Sequence, residues 1–181
     1  MADVRTISGD RDVRAALDNA DAETVVVACP PHPQFGGSRR DARLRALSAA
    51  LAEVNIACLR LDYGPWDEGV GEATDVTNAI DWSRDRYGAV GLFGYSFGAG
   101  IALRVAAERS DLCAVSVLAP PETSVEAGDV AAAVERVVAP LQIVVGQRDG
   151  TVEWAPVAEA TTATGGYVER VPGDHHFAGQ T

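Results

Sequence analysis

The segment Gly94–Gly98, with the sequence Gly-Tyr-Ser-Phe-Gly, constrains the fold more than any other part of the chain. It follows an apolar run over residues 89–94 and precedes an Ala- and Arg-rich helical pattern. A strand that turns directly into a helix leaves little room beside the turn, so the flanking positions must be glycine, which has no Cβ. Ser96 is therefore expected at the tip of a buried strand and at a helix N-terminus, where free backbone N–H groups favour negative charge.

Strand and helix patterns alternate along the chain from residue 24 onward. Continuous apolar runs are typical of parallel strands that are buried on both faces of a sheet. The predicted parallel strands lie at residues 24–29, 55–61, 89–94, 114–118, 141–146 and 167–171. Helical patterns between them require right-handed crossovers. The sequence therefore predicts an α/β fold in one domain over residues 1–181, a three-layer sandwich whose mostly parallel sheet carries helices on both faces.

Three shorter segments complete the predicted architecture. Val4–Ile7 and Val13–Leu17 are short apolar segments that we interpret as a pair of strands at the sheet edge, although the second is also compatible with a helix. Ser38 is expected to cap the helix that follows the first parallel strand. Residues 119–139 are too few to form a cap domain over the ends of the strands.

Ser96 is a candidate nucleophile, and its hydroxyl needs a base because it is barely ionised at neutral pH. The base in turn needs an acid that orients it and stabilises its positive charge. Asp149 closely follows the predicted strand at 141–146, and both His175 and His176 follow the last strand. Because parallel strands carry their ligand sites at one edge of the sheet, these side chains are expected to meet beside Ser96.

The neighbouring residues distinguish the two histidines only in part. The spacing to Phe177 downstream favours His175 as the base, whereas counting from Pro172 permits His176. We take His175 as the predicted base. The remaining histidine, His32, lies in the loop after the first parallel strand, and we expect it to have an orienting or structural role.

Five motifs in this chain resemble those of the α/β-hydrolases, and more narrowly those of the small dienelactone-hydrolase-like group. They are Pro31-His32-Pro33-Gln34-Phe35-Gly36-Gly37, Gly69-Val70-Gly71-Glu72 with Asp75, the segment Gly94–Gly98, Gly146-Gln147-Arg148-Asp149, and Gly173-Asp174-His175-His176-Phe177. The resemblance implies a minimal α/β-hydrolase fold and a catalytic triad of Ser96, Asp149 and His175. Many dienelactone hydrolases have cysteine at the position of Ser96, so the serine favours a general ester or acyl hydrolase.

Acyl transfer through a serine also needs two N–H donors aimed at the developing oxyanion. The backbone of Phe97, the residue after the candidate nucleophile, is expected to supply the first. The second belongs to the loop after the first parallel strand, where proline residues have no N–H and His32, Gln34 and Phe35 remain. The resemblance points to Gln34 as the second donor of the oxyanion hole.

The expected function is hydrolysis of an ester or related acyl bond in a small-molecule substrate, without a cofactor. The alternatives are a thioesterase or acyltransferase with the same triad, and a non-catalytic binding protein that keeps the fold. Four aromatic residues are the expected walls of the pocket: Phe35, Tyr63, Trp66 and Tyr95. Metal binding is not expected, because the sequence has no histidine or cysteine pair at ligand spacing.

The composition argues against several other classes. The net charge is −11 and all 15 basic residues are arginine, so a nucleic-acid partner is not expected. Such an acidic surface suits a salt-rich cytoplasm or reflects the base composition of the genome. No membrane partner is expected, because no apolar run approaches about 18 residues, and the N-terminus lacks the pattern of a secretory signal. Cys29, Cys58 and Cys113 are expected to be buried free thiols in the cytoplasm.

Overall fold

The computed structural model describes residues 3–124 and 128–179. The strands are β1 (Asp3–Ile7), β2 (Val13–Asp18), β3 (Thr24–Cys29), β4 (Ala57–Asp62), β5 (Ala89–Tyr95), β6 (Ala114–Leu118), β7 (Thr123–Ser124), β8 (Gly128–Asp129), β9 (Leu141–Gly146) and β10 (Tyr167–Val171). The helices are α1 (Ala42–Glu53), α2 (Val70–Arg84), α3 (Phe97–Ala107), α4 (Val130–Val134) and α5 (Ala155–Ala163), and a 3₁₀ turn spans Pro33–Phe35.

Eight of these strands form one sheet in the spatial order β1-β2-β4-β3-β5-β6-β9-β10. Strand β2 runs antiparallel to both of its neighbours, and the other pairs in the sheet are parallel. The continuous apolar runs of β3 and β5 lie near the middle, where side chains on both faces are covered. The predicted α/β architecture is confirmed, and the two N-terminal segments are strands at the sheet edge, as predicted.

Helices cover the two faces of the sheet unequally. Helices α2, α3, α4 and α5 pack in sequence on one face, where they form the larger apolar cluster with residues such as Ile80, Ile101 and Val157. On the other face, α1 packs against β4 and contributes Leu44 to a smaller cluster that also contains Phe177. The helices therefore form the two outer layers of the predicted sandwich.

The connection from β6 to β9 is short. Its described part contains the paired strands β7 and β8 and the five-residue helix α4. As predicted, the described residues of this connection form no separate cap domain over the strand ends. None of the helices in residues 3–124 and 128–179 is both long and apolar enough to cross a bilayer.

The predicted cap of helix α1 is wrong. Ser38 lies before the helix, which begins at Ala42. Asp41 caps it instead, because its carboxylate accepts the backbone N–H of Arg43 at 2.8 Å. A carboxylate at this position also complements the positive end of the helix dipole.

The environments of the cysteines differ from the prediction at one site. Cys29 and Cys58 are buried free thiols, and burial raises the pKa of the Cys58 thiol to about 12. Cys113, which was expected to be buried, is exposed. It lies one residue before β6 begins, so the apolar run that contains it starts outside the covered part of the sheet.

The turn between β5 and α3 depends on two glycines. A Cβ atom at Gly94 would lie 2.2 Å from the carbonyl oxygen of Gly98, and a Cβ at Gly98 would lie 2.3 Å from the carbonyl oxygen of Pro30. Both distances are far shorter than a real carbon–oxygen contact. Helix α3 therefore packs directly on the ends of β3 and β5 only because these two side chains are absent.

We expect the substitution Gly98→Ala to destabilise the protein by about 1–3 kcal/mol, because the added methyl group must be accommodated against the Pro30 carbonyl. Helix propensity alone predicts the opposite sign, since alanine is about 1 kcal/mol better than glycine inside a helix. Urea unfolding measures the difference. The matched control is Gly88→Ala, where the nearest atom to the new Cβ is the Glu23 oxygen at 3.6 Å. A Gly98→Ala protein as stable as the wild type would contradict this packing.

Candidate active site

Ser96 lies at the sharp turn between β5 and α3 in a conformation that non-glycine residues rarely adopt. Its φ is 56° and its ψ is −120°, and such strained residues persist only where the surrounding structure holds them. Its own N–H donates to Leu118 O at 2.9 Å, and its carbonyl accepts the N–H of Ala99 at 2.8 Å. These bonds hold the Ser96 side chain away from the helix and toward the carboxyl ends of the strands.

A chain of hydrogen bonds joins Ser96 to two residues from distant parts of the sequence. The Ser96 hydroxyl lies 2.9 Å from His175 Nε2, and His175 Nδ1 lies 2.7 Å from Asp149 Oδ2. Beside a carboxylate, Nδ1 carries the ring proton and donates it, which leaves Nε2 free to accept the serine proton. The structure thus brings together the serine, acid and histidine that the sequence predicts for the triad.

The Asp149 carboxylate is fully buried, and both of its oxygens are used. Oδ2 accepts from His175, while Oδ1 accepts the N–H groups of Thr151 at 2.9 Å and Val152 at 3.2 Å. These contacts orient the carboxylate at the end of β9. Asp149 therefore holds the ring of His175 in one orientation.

The two adjacent histidines occupy different environments. Burial alternates from Gly173 to Phe177, so that His175 and Phe177 are buried whereas Asp174 and His176 are exposed. Phe177 packs in the smaller apolar cluster, which fixes the side of the segment that faces inward. The hydrophobic residue two positions after His175 is therefore the signal that distinguishes the two histidines.

Tyr95 connects the strand of the serine to the loop of the histidine. Its hydroxyl is buried and donates to the backbone carbonyl of His175 at 3.0 Å. The guanidinium of Arg43 lies over the Tyr95 ring, 4.5 Å from its centroid. Burial raises the pKa of the Tyr95 hydroxyl, so this group stays protonated as a donor.

The first predicted oxyanion donor lies at the N-terminus of α3. Phe97 lines the same cavity as Ser96. Its N–H has no hydrogen-bond partner among residues 3–124 and 128–179, as is usual for the first residue of a helix. This N–H is therefore free to bind a negatively charged oxygen formed beside Ser96.

The second predicted oxyanion donor is the N–H of Gln34, and its position fits the prediction less well than that of Phe97. The N–H of Gln34 donates to Nδ1 of the His32 ring at 3.3 Å, and Gln34 does not line the cavity. The N–H of Phe35 is bonded to the carbonyl of His32 at 3.1 Å. The N–H of His32 itself has no partner within the described part of the chain. Gln34 remains a prediction, and its present bond is near the long limit for an N–H donor.

His32 is held among aromatic rings in the loop after β3. Its ring centroid lies 4.6 Å from that of Trp66, 4.8 Å from that of Phe97 and 4.8 Å from that of Phe35. Burial lowers the pKa of His32, and the negative charge of Glu72 opposes this shift only in part. A neutral ring in an aromatic stack supports the orienting role that the sequence suggests.

The cavity beside Ser96 has a volume of about 410 Å³. Apolar and aromatic side chains form much of its wall, and the residues that line it are Pro31, His32, Phe35, Gly36, Gly37, Asp41, Arg43, Tyr95, Ser96, Phe97, Pro121, Thr123, Thr151, Val152, His175 and His176. Phe35 and Tyr95 are walls, as predicted. Tyr63 and Trp66 do not line the cavity; Trp66 packs behind it against His32.

Two buried carboxylates hold the loop that carries Trp66, a role that the sequence did not reveal. Glu72 accepts the N–H groups of Asp67 at 3.0 Å and Gly69 at 2.8 Å. Asp75 accepts the N–H of Gly64 at 2.8 Å and pairs with Arg11 Nε at 2.9 Å. Buried charges are stable only when they are paired or hydrogen-bonded. Here the partners are N–H groups of the loop and the guanidinium of Arg11.

The described residues include no group of side chains suited to a metal ion.

We expect Tyr95→Phe to lower the free energy of unfolding by about 1–3 kcal/mol, because the buried His175 carbonyl loses its hydrogen-bond donor. Thermal and urea unfolding measure this difference. Tyr87→Phe is the matched control, since the Tyr87 hydroxyl makes a longer bond of 3.3 Å to Ala20 O at an exposed position. Equal effects of the two substitutions would show that the Tyr95 hydroxyl does not hold the histidine loop.

Comparison of the sequence with known proteins identifies a distant relative but no family. No family model matches the chain. An uncharacterized protein of Rickettsia prowazekii (strain Madrid E) is 25% identical over 129 residues, which cover 66% of this chain. The chain spans about half of that relative, 53% of its length.

Solved structures with the same fold cover nearly all of the chain. An α/β serine hydrolase homologue from Coxiella burnetii is 25% identical, with a TM-score of 0.84 over 99% of this chain and 92% of that one. A Xanthomonas campestris serine hydrolase without a lid is 23% identical, with a TM-score of 0.79 over 97% and 86%. A dienelactone hydrolase from Anabaena variabilis is 22% identical, with a TM-score of 0.79 over 99% and 89%. The chain therefore has the α/β-hydrolase fold that its motifs predict, and a dienelactone hydrolase is among the proteins that share this fold.

Proposed function

We propose that this protein is a serine hydrolase that cleaves an ester or a related acyl bond through an acyl-enzyme intermediate. The observation that carries the proposal is the hydrogen-bonded chain from Ser96 through His175 to Asp149, with Ser96 and His175 in the wall of a cavity of about 410 Å³. The serine hydrolases among its structural neighbours support the same reaction type. The fold by itself would not, because one fold serves many functions.

The first half of the reaction forms the acyl-enzyme. His175 Nε2 accepts the hydroxyl proton of Ser96 while the serine oxygen attacks the carbonyl carbon of the substrate. Asp149 keeps the ring oriented and stabilises its positive charge. The N–H groups of Phe97 and Gln34 stabilise the negative charge on the carbonyl oxygen. His175 then donates its proton to the leaving alkoxide, which departs as an alcohol.

The second half of the reaction restores the serine. Water enters the cavity, and His175 accepts one of its protons as the water oxygen attacks the acyl carbon. Collapse of the second tetrahedral intermediate releases the carboxylic acid and returns the proton to Ser96. Every proton that moves passes through His175, so the reaction needs no cofactor.

The shape of the cavity favours a small or extended acyl substrate. Its wall is largely apolar, and Phe35 stands at its edge with 88% of its surface exposed. An acyl chain that covers Phe35 removes apolar surface from water, which favours binding. Because no cap domain covers the site in the described residues, the alcohol part of the ester can extend into solvent.

A serine-directed fluorophosphonate and short p-nitrophenyl esters test the proposed function together. We expect the probe to label Ser96 and the protein to hydrolyse p-nitrophenyl butyrate, with both lost in Ser96→Ala. His175→Ala is expected to lower kcat by about 10⁴-fold or more, as for other triad members. His176→Ala should keep most of kcat, because the His176 ring lines the cavity but His175 makes the bonds to Ser96 and Asp149. Absence of labelling in the folded protein would favour a non-catalytic binding protein.

The role of the Gln34 N–H can be tested by a pair of substitutions at one position. Gln34→Pro removes the N–H, while Gln34→Ala keeps it and removes the side chain. We expect Gln34→Pro to lower kcat by about 10²–10³-fold, the usual effect of losing one oxyanion donor, and Gln34→Ala to have little effect. Circular dichroism and thermal unfolding confirm that both variants are folded. Equal kcat values would leave the unpaired N–H of His32 as the second donor.

A further inference from the structure

A second cavity, on the same face of the sheet as α1, is lined largely by arginine. We call it the arginine cavity; its volume is about 320 Å³, and it is lined by Val4, Ala16, Arg39, Arg40, Arg45 and Arg60. Arg14 lies close enough for its charge to act on Arg39. Five of the 15 basic residues of the chain therefore lie at or beside one cavity.

The sheet forms the floor of the arginine cavity. Val4 pairs with Ala16, and Ala16 pairs with Arg60, so these three residues form one row across β1, β2 and β4. Arg39 and Arg40 come from the loop after the 3₁₀ turn, and Arg45 comes from the first turn of α1. Three separate segments of the chain thus direct cationic residues to one place.

Two of the arginines are held in position by carboxylates. Arg60 is only 8% exposed, and its Nε and Nη2 atoms donate to Asp18 Oδ2 at 2.9 and 2.7 Å. Arg39 forms an ion pair with Asp62, which also accepts the Arg39 backbone N–H at 2.7 Å. A ligand therefore meets guanidinium groups that are already oriented, which lowers the loss of side-chain entropy on binding.

The other three arginines keep their charges uncompensated. Arg14, Arg40 and Arg45 are exposed, and none of them forms an ion pair within residues 3–124 and 128–179. After Asp18 and Asp62 are counted, an excess of three positive charges remains in a chain whose net charge is −11. Burial is the main cause that lowers the pKa of Arg39, and the charges of Arg40, Arg14 and Arg60 add repulsion. A bound anion would relieve it.

We propose that the arginine cavity binds the diphosphate group of a small molecule. The planar guanidinium group forms paired hydrogen bonds with phosphate oxygens, and arginine is preferred where phosphates are recognised. An excess of three positive charges matches a diphosphate better than a single carboxylate. The cavity is also large enough for more than one phosphate group, whereas the apolar cavity beside Ser96 offers no comparable set of cations.

The arginine cavity and the catalytic cavity share one loop. Gly37 and Asp41 line the cavity beside Ser96, while Arg39 and Arg40, which lie between them in sequence, line the arginine cavity. Two sources of the diphosphate fit this arrangement: it is part of the acyl substrate, as in a thioester of coenzyme A, or it belongs to a separate metabolite that binds beside the site. Only this distinction rests on the proposed function; the binding itself does not.

Binding of inorganic pyrophosphate to the full chain, measured by isothermal titration calorimetry at fixed ionic strength, tests the proposal. The test variant is Arg40→Gln/Arg45→Gln, which removes two exposed charges that have no ion-pair partner. The control variant is Arg84→Gln/Arg136→Gln, which removes the same charge from exposed positions on the opposite face of the sheet. We expect the test variant to bind about tenfold more weakly or worse, and the control to bind about as tightly as the wild type.

Two outcomes would overturn the proposal. One is no measurable binding of pyrophosphate by the wild type below millimolar concentrations. The other is the same loss of affinity in both variants, because that would show an effect of overall charge and not of this cavity. Thermal unfolding of both variants confirms that the exposed substitutions leave the fold intact.

Kinetics with two acyl substrates then distinguish the sources of the diphosphate. If it belongs to the substrate, pyrophosphate and the test variant will both raise KM for butyryl-coenzyme A but not for p-nitrophenyl butyrate. If it belongs to a separate metabolite, the two substrates will respond alike. If the wild-type protein hydrolyses neither substrate and is not labelled by the fluorophosphonate, the proposed hydrolase function is contradicted. The calorimetry would still test pyrophosphate binding independently.

Discussion

The contact between the N-terminus of α3 and the ends of β3 and β5 is the constraint on which the site depends. Gly94 and Gly98 allow helix and strand to approach within distances that no Cβ could occupy. This approach holds Ser96 at a φ of 56° and leaves the N–H of Phe97 without a partner in the described chain. It also brings the end of β3, and so the loop that begins at Pro30, against the same helix terminus. One packing contact therefore positions the candidate nucleophile, the candidate oxyanion donor Phe97 and the loop after β3.

The buried carboxylates of Glu72 and Asp75 have a different role from that of Asp149 in the candidate triad. Asp149 accepts a hydrogen bond from the ring of His175, the predicted base, and orients that ring. Glu72 and Asp75 are equally buried, yet they bind the N–H groups of a loop whose Trp66 packs on His32. Removing Glu72 would leave two N–H groups without an acceptor, and an unpaired buried donor is destabilising. Through the contact between Trp66 and His32, these two carboxylates of α2 indirectly support the loop after β3.

The local sequence predicted those features that depend on short-range geometry. The spacing to Phe177 favours His175 over His176 from a few consecutive residues, and in the structure it is His175 whose ring lies beside Ser96. The cap of α1 was predicted at Ser38 and lies at Asp41, because several polar residues in that segment can accept the first free N–H groups. Gln34 stays a prediction for a similar reason, since the direction of one N–H in a proline- and glycine-rich loop depends on what packs against it.

By itself, the sequence determined the order of strands and helices, the glycine-flanked turn at Ser96, and which residue types stand at the strand ends. These follow from hydrophobic period and backbone sterics, which act over a few residues. Only the tertiary structure decided which distant groups meet: the 2.9 and 2.7 Å bonds of the candidate triad, Arg11 on Asp75, and the convergence of Arg14, Arg39 and Arg60. The sheet order and register bring these residues together, and neither can be deduced from spacing along the chain, because hydrogen-bonded strands are paired by the packing of the whole core.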